Sequence, residues 1–565
     1  MRLAATALLF GGSPALAANA DTIWFGGQIL TANDKAPNAE AVAVKDGKIV
    51  AVGGSKAVLA AQKGRATRLI NLNRRTLIPG FVDGHSHFVG VGLQAVSANL
   101  MPPPDGPVQS IADIQRIMKD FIATSAEVKA WGIAIGFNYD DSQLAEHRAP
   151  TRRELDAVST TVPIVLLHQS GHLGAYNSKA IEQGGINPET PNPSGGVIQR
   201  EADGKTPNGV FEENAHFLLV AKILPKFTPA QMVAQVAAAQ KIYLANGFTT
   251  AQDGKTDPVA TQALIDAAND HVLKLDVVSY VDLVVMKDSP VLKGPYLSRN
   301  YTNHFRIGGV KLTFDGSPQG KTAWFTNPYL QAPEGQPANY SGYPAFPRPR
   351  EAQEWVDSAY KNNWQLLVHA NGDAAIDQMI KTVDAAEKTY PGKDRRTVLI
   401  HGQYLRADQI PMLKAKEIFP ALFPMHTFYW GDWHRDSVAG LARAAFISPT
   451  GALLKAGMKF SVHSDAPVTF PNSMRVFDSA VNRTTRSGFM LGPDQRISAA
   501  AALKAMTLWP AWQHFEDQSK GSIEVGKRAD MVVLSGNPLA VPPATTKDIK
   551  VLETIKDGIS VYTAP

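Results

Sequence analysis

Four histidines and one aspartate occupy comparable places in this sequence. His85-Ser86-His87 follows the apolar run LIPGFVDG, His369 falls in QLLVHA, His401 in TVLIHG and Asp465 in KFSVHSD. Each ends a short apolar run that gives way to glycine, asparagine or proline. Residues two apart on a strand point to the same face, so His85 and His87 can converge on one cation while Ser86 points away. That pair has a plain alternative, two surface histidines in a loop, and any single one of the others could be a hydrogen-bonded core histidine or a capping aspartate. The chain has 14 histidines, and chance is a poor account of four at matching places on three separate strands. Neutral imidazole and carboxylate suit zinc and similar divalent ions. Cysteine is absent, which excludes disulfides, thiolate zinc sites and cysteine nucleophiles. Any metal must therefore be held by nitrogen and oxygen.

The elements that would position these residues form a rhythm. Candidate parallel strands are 78–84, 248–254, 274–282, 307–314, 365–370, 397–402, 418–425 and 458–465, eight in all, with helical patterns between several of them, such as 229–247 and 350–363. The expected fold is α/β, a (β/α)8 TIM-type barrel over residues 77–515, with the candidate ligands at its C-terminal mouth. Residues 98–228 break the rhythm and read as an insertion over that mouth. Short strand-like pieces in 21–76, with Asp46-Gly47 as a hairpin turn, look like those in 516–565. The two ends are expected to meet in one small β-sandwich, leaving the middle as a self-contained insert.

Bulk properties agree with a large enzyme. The chain has 565 residues, 44% hydrophobic and 19% charged, which is ordinary globular composition. A net charge of +5 without a run of five basic residues gives no nucleic-acid footprint. The first twenty residues carry Arg2, a short apolar stretch and Ala15-Leu16-Ala17, the pattern of a secretory signal cleaved near Ala17 to Ala20. Export, to the periplasm in a Gram-negative cell, is the expectation; a frayed N-terminus of a cytosolic enzyme is the alternative. No other segment approaches the ~20 apolar residues of a membrane span. A homo-oligomer is open, since large barrels often associate and no patch identifies itself.

The ordered set of strand-end HxH, lysine, histidine, histidine and aspartate resembles the metal-dependent amidohydrolase superfamily. PGFVDGHSH, GGVKLTFDGS…KTA…PY, VHANGDAAID, HSDAPV and AVNRTT resemble more narrowly its YtcJ-like (amidohydrolase 3) branch, and the matching segments run from about residue 21 to 564. The resemblance implies that His85, His87 and Asp465 hold the more buried metal, and His369 and His401 the second. It implies two zinc ions, or manganese, iron or cobalt. Lys311 matches the strand-four lysine whose carbamate bridges the two ions; the alternative is a structural lysine paired with Asp315. Asp465 would take a proton from the attacking water and pass it to a leaving nitrogen. A donor to the tetrahedral oxyanion could be His172, which also resembles the branch's substrate-region histidine, or His426. A hydrogen-bonded structural histidine is the other reading of each. His463 falls outside the resembling ligand pattern and is read as a hydrogen-bonding neighbour of a ligand.

The expected reaction is hydrolysis of a C–N bond in an amide or N-acyl compound. Ester, lactone or phosphotriester hydrolysis on the same centre is the alternative. Deaminases of the superfamily usually carry glutamate three residues after the strand-five histidine; here that position is Gly372. A non-catalytic periplasmic binding protein would be expected to lose part of the ligand set. FYWGDW (428–433), with Trp131, Phe137 and Tyr139, could wall an apolar or aromatic substrate pocket or pack a core. Arg483 is either structural or a holder of an acid group.

Overall fold

The computed structural model describes residues 19–171, 173–193, 196–333 and 335–565. Eight parallel strands form the central sheet: β1 (Phe81–Val82), β2 (Phe248–Thr256), β3 (Asp276–Asp282), β4 (Phe305–Thr313), β5 (Gln365–Ala370), β6 (Val398–His401), β7 (Phe419–Leu422) and β8 (Ser461–Val462). They are hydrogen-bonded in chain order from β1 to β8. Every one falls inside a stretch expected from the sequence, except that β2 and β4 extend a few residues beyond theirs. The strands are buried almost throughout because both faces are covered, which is why most of them read as apolar runs. Helices return the chain between strands. Pro229–Ala245 starts on a Thr228/Gln231 capping box, and Pro349–Lys361 carries proline in its first turn.

The two ends of the sheet approach each other. A Cβ on Gly84 would lie 2.6 Å from Ser461 Oγ, and the His87 N–H donates to Ala466 O at 2.6 Å. Register places the chemistry at one level: Asp282 pairs with Lys311, Thr313 with His369, and Ala370 with His401.

The 78–84 run proves to be two strands. Thr76–Pro79 joins a second sheet and Phe81–Val82 the parallel one, with the break at Gly80, where a Cβ would sit 2.3 Å from Thr249 Oγ1. That second sheet is built from both termini: Met531–Leu534, Val551–Lys556 and Ile559–Thr563 continue through Thr76–Pro79 into Thr22–Leu30, Asn38–Lys45 and Lys48–Gly53. Seven of its strands form one hydrogen-bonded path, and Arg68–Asn71 pairs with Thr22–Leu30 off that path. Asp46 and Gly47, at φ +48° and +74°, make the hairpin turn the sequence announced.

Residues 98–213 carry a six-stranded sheet of their own. It reaches the loop after β8: Asn138 Nδ2 donates to Pro467 O, and Gln169 Nε2 to Val468 O at 2.9 Å. At the opposite end of the central sheet, charges are buried in a chain. Arg306 meets Glu516 at 2.8 Å, Lys520 meets Asp276 at 2.5 Å and Glu516 at 3.0 Å, and Lys556 meets Asp276 at 3.2 Å and Asp530 at 3.1 Å. These pairs fasten the starts of β3 and β4 to the C-terminal segment. No helix among the described residues is long and apolar enough to cross a membrane.

Candidate metal centre

The HxH pair lies just past β1 rather than on it, yet the two rings converge. His85 Nε2 is 3.4 Å and His87 Nε2 3.5 Å from the same Asp465 oxygen, Oδ1. Each ring is fixed from behind. His85 Nδ1 lies 2.6 Å from Gln252 Oε1, whose amide is itself held because Nε2 donates to Gly84 O at 2.8 Å. His87 Nδ1 lies 2.6 Å from Gly254 O. With Nδ1–H donated backwards, both Nε2 lone pairs face the aspartate, the arrangement that orients metal-binding imidazoles. Ser86 does point away, to Asp83, to Tyr243 Oη at 2.6 Å and to Gln252 O. Gly254 is required by contact: a Cβ there would come 2.4 Å from His85 Cε1.

The other face of Asp465 looks towards β5 and β6. His401 Nε2 is 3.9 Å from Asp465 Oδ2 and 3.0 Å from His369 Nδ1. His369 Nε2 lies 3.1 Å from Gly316 O, and Asn371 Nδ2 is 3.1 Å away. His401 and Asp465 both adopt left-handed backbone, φ +71° and +54°. That conformation is uncommon for residues with a Cβ and concentrates at functional sites.

Burial drives His85 and His401 well below the ordinary imidazole range, so both are neutral, lone-pair-bearing rings at neutral pH. Burial also brings the Lys311 ammonium down to about 7. Its Nζ lies 3.2 Å from His85 Nε2. The ion pair with Asp315 does not form. That carboxylate instead accepts the backbone N–H groups of Trp324, Asn371 and Gly372 at 3.0, 2.9 and 2.7 Å.

These residues fit a divalent centre on the structure's own terms. His85, His87 and Asp465 bring ligand atoms within 4.8 Å of one another, as do His401, His463 and Asp465. Buried within the cluster, Asp465 Oδ1 and His401 Nδ1 have no hydrogen-bond partner. A carboxylate oxygen left this way inside a protein is costly unless something positive meets it.

With this geometry in place, the comparisons bear on it directly. An amidohydrolase-family model matches residues 68–562. The chain belongs to the amidohydrolase family. It is similar to the YtcJ protein of Bacillus subtilis (strain 168), at 26% identity over 554 residues covering 96% of this chain and 99% of that protein. It is also similar to N-substituted formamide deformylase of Arthrobacter pascens, at 25% identity over 566 residues, with 96% and 98% covered. An uncharacterized metal-dependent hydrolase from Pyrococcus horikoshii OT3 shares the fold, with TM-score 0.73 at 22% identity over 93% of this chain and 99% of that one.

Several remaining expectations about this amidohydrolase can be placed. His172 lies outside the described residues. Arg483 is structural, donating to three backbone carbonyls, Leu491 and Ile447 at 2.8 Å and Ser448 at 3.2 Å. His426 is buried beside Phe423 and Trp430, and its Nδ1 lies 2.9 Å from His434 Nε2, whose Nδ1 is 2.8 Å from Tyr404 Oη. Trp430 belongs to the core yet donates to Asp140 Oδ2 of the insertion at 3.3 Å. His463 makes no hydrogen bond to a candidate ligand, contrary to its expected role as a hydrogen-bonding neighbour of one; the Ala421 carbonyl is the acceptor beside its ring. Sequence reading missed Gln252, Gly254, Tyr404 and His434. Gln252 was within reach, since a polar residue near the end of an apolar strand beside the HxH strand is the natural partner of a ligand.

Proposed function

We propose that this amidohydrolase cleaves a C–N bond in an amide or N-acyl compound, using two divalent cations. His85, His87 and Asp465 hold one, and His369 and His401 the other. The observation that carries this reading is the convergence of three imidazoles on the two oxygens of one buried carboxylate, at 3.4, 3.5 and 3.9 Å. When bound, the cations supply Lewis acidity, polarising a carbonyl and bringing water within reach of deprotonation at neutral pH. Asp465 accepts the proton of the attacking water and returns it to the leaving nitrogen. The Tyr404 hydroxyl donates to His434 and His434 Nε2–H to His426, which leaves His426 Nε2–H as a donor at the end of β7, suited to an oxyanion. Lys311, buried with its amine 3.2 Å from His85 Nε2, would suit carboxylation: its neutral amine would add CO2 and release a proton, replacing a cation that repels the metals with a carbamate anion that could help hold them. The sheet is read as a closed (β/α)8 barrel with this centre at its C-terminal mouth.

Two observations favour C–N hydrolysis over deamination. The similar deformylase acts, by its name, on N-substituted formamides. Gly372, where the deaminases carry glutamate, has no room for a side chain, because a Cβ would lie 1.9 Å from Trp324 O. The test is a panel of chromogenic N-acyl amides, esters and phosphotriesters offered to zinc-, manganese- and cobalt-loaded protein. Turnover of amides above the other classes is expected; preference for the ester or phosphotriester arm overturns the assignment. The first twenty residues are read as an export signal. Ala20 is tied into the fold by an N–H bond to Gln62 O at 2.9 Å, which favours cleavage at the Ala17 end of the expected window.

A further inference from the structure

We propose that His463 is a ligand of the second cation, together with His401 and Asp465. This rests on the two-cation reading above and extends its ligand set.

His463 follows β8 directly and is 2% exposed. Neither ring nitrogen makes a well-formed hydrogen bond, and the Ala421 carbonyl is an acceptor close beside the ring. The other buried histidines described here differ: His401 and His426 each have a ring nitrogen in a hydrogen bond, and His85, His434 and His514 have both, those of His514 to Tyr280 Oη at 3.0 Å and Asp83 O at 2.9 Å. A neutral buried imidazole carries one N–H and one lone pair; the Ala421 carbonyl can meet the N–H, and a lone pair left unmet costs free energy that a packing role would not require.

The position of the ring indicates what meets it. It stacks on Phe423, with centroids 5.0 Å apart and planes at 27°, which fixes its tilt. Its centroid is 5.3 Å from that of His85 and 5.2 Å from that of His401, so it sits between the two halves of the centre. One nitrogen comes within 4.8 Å of ligand atoms of both His401 and Asp465, the same spacing that joins His85, His87 and Asp465. Bonds of about 2.0–2.2 Å to one cation would need only small side-chain shifts to draw such a triad together. The Ala421 carbonyl lies beside the ring as the backbone acceptor that would orient it. Asp465 then serves two triads with its two oxygens, Oδ1 towards His85 and His87, Oδ2 towards His401.

The test compares zinc binding by the full-length wild type and His463→Leu, which keeps the volume and the Phe423 contact. Both are stripped, reloaded with zinc alone, and read by elemental analysis and by competition with a chromophoric chelator. The wild type is expected to hold about two equivalents. The variant should keep the first and lose affinity for the second by more than about 100-fold, beyond the ~10–100-fold effect of a residue that merely orients a ligand. Its melting temperature without metal should be unchanged or higher. Two equivalents with unchanged affinity in the variant overturn the proposal while leaving the two-cation enzyme intact. A wild type that binds no zinc overturns that reading as well. Should the variant fail to fold, anomalous diffraction from zinc-loaded wild type decides the matter. An ion about 2.0–2.3 Å from a His463 nitrogen supports the assignment, and one beyond about 3 Å refutes it.

Discussion

In the proposed mechanism Asp465 has two tasks that substitution can separate. As a ligand it needs an oxygen on each face; as a proton carrier it needs a carboxylate that titrates. Asparagine keeps an oxygen and tolerates the φ of +54° found here. Asp465→Asn is therefore expected to retain at least one metal equivalent and its melting temperature while turnover falls about 10²–10⁴-fold; full activity in that variant would remove the proton-carrier role. Gln252 acts one step further out. Gln252→Leu removes the acceptor behind His85 Nδ1, so zinc affinity should drop roughly 10–100-fold, measured by chelator competition, with only a modest change in stability.

Lys311, His369 and His401 sit on β4, β5 and β6, while His85, His87 and Asp465 lie just past β1 and β8, and the spacing of these elements leaves little slack. β2 passes so close behind His85 that a methyl group at Gly254 would collide with the ring. Gly254→Ala should yield a folded protein of reduced metal content, and zinc occupancy equal to wild type would show that β2 gives way instead. This is also the scale at which the sequence was most legible. A parallel strand buried on both faces leaves a largely apolar signature in most cases, which marked six of the eight strands, β2 (FTTAQDGKT) and β4 (FRIGGVKLT) being more mixed, and His369 and His401 could be placed by their positions in such runs. The Thr76–Val82 break was not visible, because both halves are apolar and only pairing partners distinguish them. Nor was the state of His463: its strand face is set by alternation, but whether a nitrogen finds a partner depends on Phe423 and Ala421, which reach it from another strand. The Lys311–Asp315 pair failed for a similar reason. Asp315 is claimed by backbone amides of a loop whose path no periodicity reveals.

At the scale of the molecule, the charges buried beneath the sheet make it sensitive to acid. Burial alone would raise the Glu516 carboxyl, but Lys520 and Arg306 outweigh it and hold it at about 2. A carboxylate depressed on folding stabilises the native state fully above its unfolded value near 4.5 and ceases to do so as pH falls towards 2. Melting temperature should accordingly decline across that window. Glu516→Gln should flatten the decline and cost about 3–5 kcal/mol at neutral pH, because Arg306 and Lys520 lose their counter-charge. Stripping the metals should lower the melting temperature of the wild type in proportion to RT ln(1 + [metal]/Kd). An unchanged value would mean the centre binds too weakly to matter for folding.

The shared terminal sheet has one more consequence. Thr76–Pro79 finds its antiparallel neighbour only in Met531–Leu534, more than four hundred residues later in synthesis. The opening strands must therefore wait, with one edge bare, until the ribosome has released nearly the whole chain. A nascent polypeptide that cannot seal its first layer stays threadable until it is finished, and a stop codon even a few dozen residues early should leave an aggregating product rather than a trimmed enzyme.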